Sequence, residues 1–141
     1  IMERIIKFIL IICVVFVGSF VPVKAAEQMN LSTLITAQTI PYETCTKVFN
    51  TDNVSLLYLT IAAINANRFT INEIQTKSGY VLFTAVNKKF LATVLNVNTN
   101  QGMLKITPAD NNYYFQPGIV LNIFKYVELN LNSKPENVKL N

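Results

Sequence analysis

The sequence predicts an α+β domain, an antiparallel meander of four to five strands with two helices packed on one of its faces. Three observations lead there. Apolar residues recur at helical spacing twice, from Asp52 to Ala66 and from Pro117 to Asn132. Between them lie four runs rich in β-branched and aromatic residues. The connections between those runs are short and carry Gly, Asn, Ser or Lys, so consecutive strands are expected to pair as neighbours.

The elements follow in order. Glu43 to Phe49 (ETCTKVF) reads as a short edge strand. Asn50-Thr51-Asp52-Asn53 is a helix-start cluster, because these side chains accept hydrogen bonds from unpaired backbone N–H groups. Val54, Leu57, Tyr58, Ile61 and Ile64 then mark an apolar stripe on a helix from Asp52 to Ala66. Strands are expected over Arg68 to Gln75, Tyr80 to Val86, Phe90 to Val97 and Met103 to Thr107. The turns between them are Lys77-Ser78-Gly79, Asn87-Lys88-Lys89 and Asn98 to Gly102, with Gly79 supplying a positive φ. Asn111 to Phe115 is a connection. Pro117 suits a first helical turn, and Val120, Ile123, Phe124, Val127 and Leu131 line one face of the last helix. Each helix is expected to bury one stripe on the same sheet face. The other face, with Thr, Asn, Lys and Tyr, is left to solvent or to a ligand.

The N-terminus reads as a signal peptide over 1–25. Arg4 and Lys7 form a positive start, Phe8 to Val23 carries no charge, and Val23-Lys24-Ala25 precedes a cleavage site before Ala26. The alternative is an uncleaved membrane anchor, although sixteen uncharged residues fall short of the ~20 of a spanning helix. A lipidated Cys13 is a third option, set against Ile11-Ile12 where a small residue is expected. A flexible arm over 26–42, a single domain over 43–132 and a polar tail over 133–141 complete the layout. The expected location is periplasmic or extracellular, or the inner membrane if the segment is not cleaved.

Composition narrows the chemistry. The chain of 141 residues has no histidine and two cysteines. A Ser-His-Asp or Cys-His nucleophile and a His- or Cys-rich metal site are therefore excluded. No cofactor is expected. From Ala26 onward nine Lys and Arg stand against seven Asp and Glu, a difference of +2, and Lys88-Lys89 is the single basic pair. Without a basic stripe, no nucleic-acid partner is expected.

The candidate contact residues are few. Tyr113-Tyr114-Phe115 is the densest aromatic cluster, and three adjacent rings cannot all face a core. It is a candidate patch for a partner or glycan-like ligand, weighed against one or two rings plugging the gap between sheet and last helix. Lys88 and Lys89 read as a soluble hairpin tip or a contact to anionic headgroups. Cys45 is the single cysteine after cleavage, either a half-buried small residue or a reactive, dimer-forming thiol. Asp110 and Glu128 are candidate paired carboxylates that nothing in the sequence brings together. Asn30-Leu31-Ser32 and Asn53-Val54-Ser55 match the glycosylation sequon, the second being better explained by helix capping.

From Glu43 onward, the pattern KVFNTDN (from Lys47), Phe69-Thr70-Ile71 and Lys77-Ser78-Gly79-Tyr80-Val81 through Val97 resembles small exported bacterial proteins of uncharacterised function. Those have a signal peptide or lipobox followed by a helix, a strand meander and a last helix. The likeness spans about half the chain and carries no site residue. It implies a bacterial envelope protein. The expected function is a non-catalytic envelope module that binds another protein or an assembly, with dimerisation through Cys45 or an edge strand as one form. The alternatives are a carrier of a small apolar ligand held between sheet and helices, and a hydrolase built without histidine.

Overall fold

The computed structural model describes residues 31–132. A short helix α1 (Leu31–Ile35) leads to β1 (Gln38–Thr39), a 3-10 turn (Tyr42–Cys45) and β2 (Thr46–Phe49). Helix α2 (Asn53–Ala66) precedes β3 (Thr70–Gln75), β4 (Tyr80–Ala85), β5 (Lys88–Asn98) and β6 (Gln101–Pro108). Then come β7 (Tyr114–Phe115) and α3 (Gly118–Leu129). The main sheet has five strands in the order β2-β6-β5-β4-β3, antiparallel throughout. A separate antiparallel pair joins β1 to β7. The architecture is the expected α+β class with an antiparallel sheet. The expected signal peptide, its expected cleavage site and the expected polar tail lie outside the described residues.

Alternation builds the core. Val81, Phe83 and Ala85 on β4, Phe90, Ala92 and Val94 on β5, and Leu104 and Ile106 on β6 all turn to one face and are buried. Across that face runs an aromatic ladder. Phe83 stacks on Phe69 at 5.9 Å and on Phe90 at 5.6 Å, and Phe90 meets Phe115 edge-on at 5.0 Å. The ladder ties the sheet to β7.

Helix α2 lies against β3 to β6, and α3 lies against α2. Phe124 of α3 also meets Phe49 of β2 edge-on at 6.0 Å. Being covered on two sides, α2 buries Leu56, Leu57, Leu59, Thr60, Ile61, Ala63 and Ile64. Of the expected stripe, Leu57, Ile61 and Ile64 are buried, and the buried arc is wider than the stripe on one side and narrower on the other. Val54 is 62% exposed, while Leu56 and Leu59 belong to the core. Both sets are apolar at helical spacing, and periodicity alone cannot choose between them once a second helix widens the buried arc. Thr60 is buried without penalty because its hydroxyl donates to the Leu56 carbonyl at 2.7 Å. Asp52 caps the helix, accepting from the Ser55 amide at 3.1 Å and from the Ser55 hydroxyl at 2.7 Å. Those two bonds hold its carboxyl below the ordinary range.

Two boundaries differ from expectation. The segment expected as a loose arm forms α1 and β1 over its described part, with Ile40 buried and its amide donating to the Tyr113 carbonyl at 2.8 Å. No periodicity announces a two-residue strand whose partner lies far along the chain. The second difference is the β4–β5 turn, expected at Asn87-Lys88-Lys89 and found at Val86-Asn87, with φ of 48° and 60°. Two positive-φ residues make the primed two-residue hairpin turn. Asn suits it, but a β-branched valine does not. Val86→Asn is therefore expected to raise the unfolding free energy by about 1 kcal/mol. A urea midpoint that stays put or falls would show that the Val86 side chain makes a compensating contact.

Candidate functional site

β2 is an edge strand. Its four residues pair with β6 alone, and no strand lies on its other side among the described residues. The run TKVF favours extended backbone through Thr46 and Val48, and the Asp52 cap ends it by starting α2. The expected strand over 43–49 is shortened because residues 42–45 wind into the 3-10 turn after Pro41. Neither proline nor bulge protects this edge, whereas β3 at the far edge carries a register irregularity between Ile71 and Glu73.

Beside β2 runs a groove of about 450 Å³, lined by Thr44, Thr46, Lys47, Leu121, Phe124, Lys125 and Glu128. Leu121 and Phe124 come from α3 and give it an apolar side. Lys47 and Glu128 pair across it at 3.2 Å. Both side chains are well exposed, so the pair contributes at most about 1 kcal/mol and opens readily. On the opposite face of β2, Val48 is 44% exposed. It stands in register with Met103 and Leu95, which makes a short apolar row leading onto the open sheet face.

That open face has a polar row as well, Thr46, Lys105, Thr93, Tyr80 and Gln75 in register across all five strands. Lys105 Nζ lies 5.1 Å from the Tyr42 ring centroid, and Tyr42 meets Tyr113 edge-on at 6.0 Å. The Tyr42 hydroxyl holds the Lys105 ammonium above its ordinary pKa. Tyr42 and Lys105 were not singled out in the sequence, since they meet only through the turn before β2. Within the aromatic cluster the rings separate by alternation. Phe115 is buried, Tyr113 packs on the core edge and Tyr114 is 57% exposed. Burial pushes the Tyr113 hydroxyl pKa up.

The remaining candidates are dispersed. Lys88 pairs with Asp110 at 3.3 Å and lies 6.0 Å from the Phe115 ring centroid, while Lys89 stands opposite Thr84. The Asn112 amide and Lys88 hold the Asp110 carboxyl below its ordinary range. Asp110 and Glu128 therefore face different lysines. The space between sheet and helices, where the alternative reading places an apolar cargo, holds the fully buried Leu56, Ile64, Phe83, Phe90 and Ile106.

Cys45 is 0% exposed, with its thiol 3.9 Å from the Pro41 carbonyl. Burial raises its pKa, opposed by the Thr44 hydroxyl. A disulfide between two copies would require this region to open. We expect a maleimide at neutral pH to label native protein at least about 100-fold more slowly than protein in denaturant. Equal rates would place the thiol at the surface.

A second concavity, of about 470 Å³, lies between the first turns of α2 and the β3–β4 turn. Its lining comprises Asn53, Val54, Leu57 and Tyr58 from α2, Thr76 to Gly79 from the turn, and Val94. The sequence marked Lys77-Ser78-Gly79 only as a turn. Its juxtaposition with α2 is a tertiary fact that local spacing does not carry.

Among the described residues, no group of three or more His, Cys, Asp or Glu side chains is placed to hold a metal. No described helix is long and apolar enough to cross a membrane. No protein-family model matches the chain, and no curated protein does.

Proposed function

We propose that the chain is a non-catalytic module, exported to the cell envelope, that binds an extended segment of another protein by strand addition on β2. The observation that carries this reading is the position of β2 at the edge of the sheet, with a groove running beside it. Backbone hydrogen bonds along an edge supply affinity, and side chains entering a neighbouring pocket supply selectivity. Here the groove offers the apolar surface of Leu121 over the buried Phe124 to an incoming side chain, with Lys125 and the Lys47–Glu128 pair also lining it. The segment best suited is extended and apolar, with an acidic residue beside it. Export rests on the charged start, uncharged run and Val23-Lys24-Ala25 site, and the envelope setting on the resemblance to exported bacterial proteins.

The test is site-specific photo-cross-linking in the envelope of an exporting host, with the probe at Val48 or, as control, at Thr84. The expected result is a discrete adduct from Val48 alone, reduced at least about tenfold by Lys125→Glu at the groove rim. Adducts of equal yield from both positions, or none from Val48, would overturn the reading.

A further inference from the structure

We propose that the cleft between α2 and the β3–β4 turn binds a small amphipathic anion, an unbranched apolar chain ending in a carboxylate. The site shares no lining residue with the groove beside β2 and does not depend on it. Its volume of about 470 Å³ falls within the range of small-molecule pockets.

Three features give the ligand its character. The first is an apolar wall of Val54, Leu57 and Val94, extended by the ring of Tyr58. Val54 is a large aliphatic left uncovered on a helix whose neighbouring turns are packed. A hydrocarbon chain laid along this wall would remove that surface from water.

The second is a polar lining that carries donors and no carboxylate. Lys77, Thr76 and Ser78 come from the turn and the Tyr58 hydroxyl from the helix, and no Asp or Glu lines the cleft. Lys77 is the only charged lining residue and forms no ion pair among the described residues. A single positive charge at the edge of an apolar wall matches one carboxylate at the end of an apolar chain. The amino end of α2 adds little to this match, because Asp52 already occupies the Ser55 amide.

The third is a fixed, open floor. Gly79 has φ +70°, and its carbonyl accepts from the Val94 amide at 2.7 Å. A Cβ there would stand 3.1 Å from the Val94 carbonyl oxygen. Glycine thus lets the turn lie on β5 while leaving the cleft clear of a side chain, so the site is formed before the ligand arrives.

The experiment is titration of the protein recovered from an exporting host with decanoate, followed through backbone amide NMR shifts. Decanol is run in parallel. Saturable shifts are expected at Asn53 to Tyr58 and at Thr76 to Gly79, with decanol at least tenfold weaker. Lys77→Glu, at an exposed turn position, is expected to weaken decanoate at least tenfold. Val54→Trp, which fills the mouth, should do the same, and Lys125→Glu should leave binding unchanged. Equal affinity for decanol, shifts centred on the open sheet face, full binding by Lys77→Glu or the absence of saturation would each overturn the proposal. The β2 reading would survive any of these results.

Discussion

Replacing Phe83 with alanine is expected to lower the unfolding free energy by about 3–5 kcal/mol. Phe83 is fully buried and stacks on Phe69 on one side and on Phe90 on the other. Truncation removes the transfer energy of the ring and leaves a void between two aromatic neighbours fixed on their own backbones. Part of each stacking contribution, about 0.5–1.5 kcal/mol per pair, is lost as well. Set against the 5–15 kcal/mol typical of folded domains, the change leaves a marginal fold. The measurement is the urea midpoint, with the slope of the transition checked for constancy. A loss below about 1.5 kcal/mol would mean that the ladder collapses into the void and that its geometry is not a fixed part of the core.

The second large effect is expected from Gly102→Ala, about 1–3 kcal/mol of destabilisation. Gly102 stands opposite Phe49 where α2 crosses the end of β6. An added Cβ would lie 2.8 Å from Leu56 Cδ2 and 3.1 Å from Asn53 Oδ1. The cause is space rather than backbone conformation. Leu56 is fully buried and cannot swing aside, and Asn53 Oδ1 is a buried acceptor without a hydrogen-bond partner. A double-mutant cycle separates this crowding from other effects. In a Leu56→Ala background the same glycine substitution should cost markedly less, giving a coupling of about 1 kcal/mol or more. Additive losses would show that the helix does not press on the sheet at this point.

What the sequence made legible follows from the range of the interactions that settle it. The start of α2 could be read because the Asp52 cap acts within a single turn. The four central strands could be read because their alternation and turns are local, and Gly79 has the positive φ its turn demanded. Three features resisted. The buried face of α2 depends on α3, which lies over 50 residues away. The β1–β7 pair rests on two residues per strand, too few to show a period. The turn at Val86-Asn87 uses a residue that turn chemistry disfavours, so Asn87 and the lysines after it carry the stronger turn signal in the sequence. For the site, the edge character of β2 was foreseen from its composition and brevity. The groove and the cleft were not, because each joins a helix to a segment remote in the chain.

The placement of β2 also bears on the order in which the domain assembles. The hairpins β3–β4, β4–β5 and β5–β6 close through short turns and cost little chain entropy. β2 must find β6 across the whole of that meander, pairing residues 46–49 with 102–105, and β1 must find β7 across a longer span. Pairings of such high contact order are expected to form last. Until they do, the flank of β6 is open, and an extended segment nearby competes with β2 for it. A strand of four residues is a short competitor, so the timing of encounter, and not affinity alone, would decide which segment the sheet incorporates.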